Sequence, residues 1–335
     1  MDDKRFILDL TMLQPFDIIM EKGDDPRLSA AYNHRNGTPY THAKLYIGMG
    51  SYIDASGTGV KSQQVERTLY SSIDDAIVLR YNEELTEGQK AIINSFVRSE
   101  IGKEFHTPSC INPYVKSSDE HELNREYCVR LVALAYQEAG INIVSNALYC
   151  KPEEFINSTR LTQIDIKLKE ANDDNLEYAN SECVINKQDA ICGNMFELIR
   201  YITHADIQTE GQLVDFLIKE PSFDDKIYES IKNDLYFSML EQYHKDHPEE
   251  YDAKAFINRY GCNALTWAFV LLKNAEMMQN GHWMINLLNY MYLYETYRLK
   301  TFSLFVNLYI SLCEDCENRI KTGINVYNLL INKQR

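Results

Sequence analysis

The chain has 335 residues, with 34 Lys plus Arg against 49 Asp plus Glu, a formal charge of −15. That balance excludes a partner held by phosphate neutralisation, because nucleic-acid binders need a basic footprint. Scarce glycine and proline with plentiful Tyr, Phe, Ile and Leu exclude a disordered or low-complexity chain. At roughly 100–200 residues per domain, the length predicts about two domains.

The opening MDDKRFILDL carries acid where a secretory signal carries positive charge, and no apolar core follows it. The least charged stretch, 277–294, holds Gln279, Asn280, Gly281, His282, Asn286 and Asn289 and is too polar for a membrane span. Eight cysteines, at 110, 128, 150, 183, 192, 262, 313 and 316, lack framework spacing and are expected as reduced thiols. The compartment expected is the cytoplasm, or the outside by an export route that needs no signal peptide.

In chain order, 16–20 is a short apolar run after Pro15 and predicts a strand. Residues 21–40 carry Gly23, Pro26, Gly37 and Pro39 and read as loop. The stretch 41–47 alternates, with His42, Lys44 and Tyr46 on one face and Ala43, Leu45 and Ile47 on the other. Gly48-Met49-Gly50 supplies a turn, 51–55 returns as a second strand ended by Gly57 and Gly59, and 76–79 makes a third. Thr86 and Gln89 form a capping box opening a helix with Ile93, Phe96, Val97 and Ile101 on its apolar side. After a polar loop over 103–122, a helix runs from about Asn124 to Ala139, striped by Cys128, Leu131, Val132 and Ala135 and ended by Gly140. A short turn or helix starts at Lys151-Pro152, and 161–168 alternates like a last strand. Residues 170–190 are polar and rich in Asn and Asp, so a linker is placed at 169–195. Beyond it the periodicity is helical only, over about 211–219, 224–244, 251–279, 283–298, 300–320 and 322–332. The expected class is α+β: a catalytic domain over 1–168, the linker, and an all-α domain over 196–335.

Three side chains stand out by environment. His42 lies on the polar face of its strand, and Asp54 lies twelve residues on in the partner strand. An odd-length loop around Gly48 lets the two face each other on one side of the sheet. An imidazole beside a carboxylate gains an orienter and basicity, as a general base requires. Cys128 is near a helix N-terminus, where the macrodipole favours thiolate and free N–H groups can hold an oxyanion. Each residue alone reads as structural; together they allow a thiol-hydrolase triad.

The segments Pro15-Phe16-Asp17-Ile18-Ile19-Met20 and Thr41-His42-Ala43-Lys44-Leu45-Tyr46-Ile47-Gly48, continuing to Ile53-Asp54-Ala55, resemble the strand pattern of the NlpC/P60 superfamily. The helix Tyr127-Cys128-Val129-Arg130-Leu131-Val132 to Ala139-Gly140-Ile141 follows the histidine, as in the circularly permuted YiiX/YebB-like branch, and Pro152 to Leu161 is similar to that branch's ending. The resemblance covers about 10–168. It implies a permuted papain-like fold, a small antiparallel sheet packed on the helix of the nucleophile. It also implies Cys128 as nucleophile, His42 as base and Asp54 as third member, a position more often Glu there. Phe16 replaces a usual Gly, and Val129-Arg130 replaces a common Ser-Glu. Tyr127, beside the nucleophile, is either a packing residue or a candidate oxyanion or cleft donor, Asp17 reads as structural, and the loop 21–40 as a roof over the cleft.

Other motifs carry less. Cys313-Glu314-Asp315-Cys316 has no second pair, so neither a metal site nor any cofactor is expected. His244 and His247 precede Pro248 at a helix end, and Tyr290, Tyr292, Tyr294 and Tyr297 read as helix packing. The function expected is a cysteine hydrolase of an amide, in a peptide, an amino-acid conjugate or a lipid amide. A lipid acyltransferase or esterase with the same triad, and a non-catalytic interaction protein binding a partner through its helical half, stay open beside it.

Overall fold

The computed structural model describes residues 4–23, 33–34, 36–106 and 124–332. The chain divides into two compact units, Met1–Asp189 with Gln208–Glu210, and Ala190–Ile207 with Gly211–Arg335. The first unit is α+β. In chain order it contains β1 (Phe6–Leu8), β2 (Ile18–Lys22), β3 (Tyr40–Gly48), β4 (Ser51–Ser56), β5 (Gly59–Gln64) and β6 (Ala76–Tyr81). Helices α1 (Glu87–Ser99), α2 (Cys128–Glu138) and α3 (Pro152–Ile156) follow, then β7 (Leu161–Ile164), β8 (Leu168–Glu170) and α4 (Asp173–Asn180). Helix α5 (Val184–Thr203) begins in this unit and ends in the second.

Six strands form an antiparallel sheet in the order β5-β4-β3-β2-β6-β7, and β1 pairs with β8. Strand β5 departs from the sequence reading, which took Gly57 and Gly59 only as terminators. Gly59 has φ +99°, and a Cβ there would stand 2.7 Å from the Lys103 carbonyl oxygen, so glycine lets the chain fold back at once into β5. One sheet face packs on α1 and α2, where Ile18, Leu45 and Ile53 share a buried cluster with Ile93, Val97, Leu131, Val132 and Tyr136. Each such side chain contributes about 1.5–3 kcal/mol on burial. A slip of one residue would exchange the two faces, so this cluster holds the register.

The opposite face is covered as well, with Ile19, Tyr46, Tyr52 and Val78 lying among Leu8, Leu13, Tyr70 and Leu168. The row of β3 that alternation marks as polar is therefore buried, and Lys44 is only 5% exposed. Local chemistry sets the ends of the elements. The Thr86–Gln89 capping box forms, with Thr86 Oγ1 accepting the Gln89 N–H at 3.2 Å and Gln89 Oε1 accepting the Thr86 N–H at 3.0 Å. Helix α2 starts at Cys128 rather than near Asn124 because Tyr127 is extended, at φ −130° and ψ 157°. It ends at Gly140, whose φ is +77°.

Residues 169–195 are structured. They hold most of β8, α4 with an Asn172–Asn175 capping box, and the opening of α5. The second unit is helical: α6 (Glu210–Lys219), α7 (Asp224–Ile231), α8 (Met239–Asp246), α9 (Ala253–Tyr260), α10 (Ala264–Met278), α11 (Met284–Tyr297) and α12 (Lys300–Asn332). A π-turn over Gln279–Trp283 joins α10 to α11. Helix α12 merges two segments that periodicity separates. Asp224 caps its start, its carboxylate accepting the Lys300 and Thr301 N–H groups at 2.6 and 2.9 Å. In the tyrosine run, Tyr290 is buried and stacks on Phe305 and Tyr309, whereas Tyr292 is exposed. No helix among the described residues is long and apolar enough to cross a membrane.

Candidate active site

The site starts from the hairpin β3–β4. Lys44 pairs with Asp54, Leu45 with Ile53 and Tyr46 with Tyr52, and a bulge between Tyr46 and Gly48 takes up the odd residue of the turn. His42 therefore shares a face with Asp54 and lies on the diagonal, two residues before Asp54's direct partner. Its Nε2 is 2.7 Å from Asp54 Oδ2. The His42 side chain keeps 22% exposure and that of Asp54 5%. Asp54 Oδ1 is buried with no hydrogen-bond partner.

Cys128 is brought to the same place by α2. It is the first helical residue, 3% exposed, and its Sγ lies 3.9 Å from the carbonyl oxygen of Thr41, the residue before the histidine. No side chain caps this end, and the first ladder bond runs from Leu131 N–H to Tyr127 O. The N–H groups of 128–130 thus stand outside the helix ladder and form a small positive pole. With Nε2 engaged by Asp54, the other ring nitrogen, Nδ1, is left for the thiol.

The charges of these groups are coupled. Burial works to lower the imidazole pKa from 6.5, but the Cys128 thiolate, with Asp54 as a further hydrogen-bond and charge partner, overrides it and pushes the ring up to about 10. Imidazolium is thus the favoured form of His42 at neutral pH, the proton donor that acyl transfer to sulfur needs.

Tyr127 does not join them. Its hydroxyl donates to the carbonyls of Leu148 and Cys150 at 3.1 and 3.3 Å, deep in the core. Of the two roles open to Tyr127 the oxyanion or cleft donor is corrected and packing stands, because its hydroxyl is committed to these carbonyls. Arg130, where the resembling branch has Glu, forms a buried pair with Glu126, Nε to Oε2 at 2.9 Å. Burial lifts the Glu126 carboxyl to about 7, against the pull of Arg130. Asp17 holds the turn before β2, with Arg80 Nε and Nη2 each 2.7 Å from its two oxygens. In that turn Phe16 has φ +74°, and its carbonyl accepts the Tyr136 hydroxyl at 2.6 Å.

Of the loop expected to roof the cleft, 24–32 and 35 lie outside the described residues, as does Cys110. Among the described cysteines Cys150, Cys313 and Cys316 are buried, and Cys262 is exposed. The two histidines near Pro248 are used separately: His244 bonds Asp315 at 2.7 Å, and the His247 ring packs tilted against Tyr243, centroids 4.5 Å apart. No group of three or more His, Cys, Asp or Glu side chains among the described residues is arranged to hold a metal ion.

Sequence reasoning missed the buried ionic row beside the dyad. Glu21 of β2 is the cross-strand partner of His42, yet its Oε1 lies 2.8 Å from Lys44 Nζ. Lys61 of β5 is the partner of Asp54 on its other side and reaches Asp189 at 3.6 Å. The alternation of 41–47 placed Lys44 on the face of His42. Only the strand order could bring Glu21 to it.

No family model matches this chain, and no curated protein does. Among solved structures, the chain is similar to the crystal structure of the metalloprotein yiiX from Escherichia coli O157:H7. The identity is 17%, over 46% of this chain and 97% of that one, with a TM-score of 0.36.

Proposed function

We propose that the first unit is a permuted papain-like thiol hydrolase that cleaves an amide, in a peptide, an amino-acid conjugate or a lipid amide, through Cys128, His42 and Asp54. One observation carries this reading: the His42 ring bonds Asp54 at 2.7 Å, and Cys128, at the uncapped start of α2, has its thiol sulfur 3.9 Å from the carbonyl oxygen of the adjoining Thr41.

The chemistry follows from the geometry. The Cys128 thiolate attacks the substrate carbonyl carbon, and the carbonyl electron pair moves to oxygen, which the N–H groups at the start of α2 receive. The His42 imidazolium gives its proton to the leaving nitrogen as the C–N bond breaks, and a thioacyl enzyme remains. Water then attacks the thioester carbonyl while His42 takes its proton. The C–S bond breaks, releasing an acid and restoring the thiolate–imidazolium pair. Asp54 holds the ring with Nδ1 toward sulfur throughout.

The test is covalent. An electrophilic acyl probe is expected to add one acyl mass to Cys128 faster than to any other cysteine, and His42→Ala is expected to abolish that preference. Labelling of Cys128 no faster than of exposed Cys262 overturns the reading.

A further inference from the structure

The ionic row beside the dyad contains four charged groups on three adjacent strands. Register pairs Glu21 with His42 and Lys44 with Asp54. The bonds run along the diagonals instead: Lys44 Nζ to Glu21 Oε1 at 2.8 Å, and His42 Nε2 to Asp54 Oδ2 at 2.7 Å. Each group thus declines its nearest cross-strand neighbour, which carries a charge or proton it could use.

We propose that Lys44 and Glu21 are positioning residues: by satisfying each other they keep Glu21 off His42 and Lys44 off Asp54, so that the imidazole has Asp54 as its one carboxylate partner. The inference rests on the hydrolase reading given above. Three observations support it. Both side chains are buried, at 7% and 10% exposure, so water cannot compensate either one if the other is lost. The remaining contacts lock the pair in place: Tyr70 donates its hydroxyl to Glu21 Oε1, Lys44 donates to Thr68 Oγ1 at 3.3 Å, and Lys44 Nζ sits 4.4 Å from the centre of the Tyr52 ring. Finally, Asp54 Oδ1 is buried and unpartnered, the acceptor a released ammonium would take.

The groups facing Lys44 are Glu21 from β2, His42 from its own strand, Tyr52 and Asp54 from β4, and Tyr70 from the segment after β5. Lys61 of β5 pairs with Asp54 on its other side, and its Nζ lies 3.6 Å from Asp189 of α5. Removing the Glu21 charge leaves Asp54 as the nearest anion to Lys44, and a carboxylate shared with an ammonium holds imidazolium less well. Removing the Lys44 charge leaves a buried carboxylate directly across from His42, competing with Asp54 for the ring.

The proposal predicts that each single change displaces the site's pH profile and that the two together displace it less. The experiment follows the rate of Cys128 alkylation by iodoacetamide from pH 4 to 10 in Glu21→Gln, Lys44→Met and the double variant, with circular dichroism as the control for folding. Glu21→Gln is expected to move the acid limb of the profile to higher pH by about one unit, a loss of about tenfold at its foot. Lys44→Met leaves a second carboxylate beside the imidazolium and is expected to move that limb to lower pH. The double variant is expected to recover to within about threefold of the parent, a coupling well outside additivity. A folded Glu21→Gln with the parent profile overturns the proposal, as does a folded double variant displaced as far from the parent as either single. Should Lys44→Met not fold, Glu21→Gln and the double variant decide it, since Gln keeps the volume and acceptor of Glu21. The parent protein separates the two readings: if His42→Asn leaves its Cys128 profile unchanged, the hydrolase reading fails, whatever the row does.

Discussion

His42 bonds Asp54 across a diagonal of the hairpin, Nε2 to Oδ2 at 2.7 Å, although the register makes Lys44 the direct partner of Asp54. The diagonal has a consequence. An imidazole held at Nε2 has only Nδ1 left for another partner, so in the proposed reaction Asp54 decides which nitrogen serves the thiol.

Asp54→Asn keeps the volume but offers an amide that favours the wrong tautomer. Acylation of Cys128 by an activated acyl ester, followed by intact mass, is expected to slow by about 10²-fold or more, within the range of general acid–base effects. The circular dichroism spectrum is expected to stay that of the parent. A rate within twofold of the parent counts against Asp54 as the orienter.

The His42 ring also sets a pH dependence. Its folded pKa is about 10, above the ordinary 6.5, so the imidazolium and the stability it contributes are complete below about 6.5 and are lost as pH rises through about 10. An anionic alkylating agent reads this directly. The rate constant for iodoacetate at Cys128, corrected for the thiolate fraction by the rate for iodoacetamide, is expected to fall as pH passes 10. The fall is expected to vanish in His42→Asn.

Tyr127→Phe separates packing from chemistry at the residue next to the nucleophile. It leaves the carbonyls of Leu148 and Cys150 without the hydroxyl they now share. Chemical denaturation is expected to show a loss of about 1–3 kcal/mol, while the alkylation rate of Cys128 in the folded state is unchanged. A slowed rate with unchanged stability would return Tyr127 to the cleft.

Phe16 occupies a left-handed backbone position, φ +74°, which costs a non-glycine residue about 1–3 kcal/mol. Its ring is also buried in the main core, and truncating a buried Phe costs about 3–5 kcal/mol. Phe16→Gly is therefore expected to lower the unfolding free energy by about 1–3 kcal/mol net in a denaturant titration. A stabilised variant would mean that the strain, not the core contact, dominates at this turn.

Much of this was readable in the residues themselves. Alternation over 41–47 placed His42 and Lys44 on one face, and the Gly48 turn allowed Asp54 to join them. The stripe of Leu131, Val132 and Ala135 gave α2 its buried side, and Thr86 with Gln89 marked the start of α1. These are local signals, set by the two-residue period of a strand, the 3.6-residue period of a helix and the chemistry of caps. The short strands β1, β5 and β8 were not readable, because three to six residues carry too little pattern and their existence depends on a partner being present. Residues 169–195 read as linker for the same reason: the helices they form are polar on their exposed sides, and composition does not report what they pack on.

What the sequence by itself determined is the set of residues able to do thiol chemistry and the face each occupies on its own element. The tertiary structure alone decided their company. Strand order brought Glu21 beside Lys44, and coverage of the second sheet face buried both. The extended backbone at Tyr127 put Cys128, rather than a residue four positions earlier, at the open end of a helix. The physical reason is that burial and long-range pairing are properties of neighbours distant in the chain. A lysine in an alternating strand reads as solvated until a second layer closes over it, and then its charge must be answered by whichever carboxylate the register delivers.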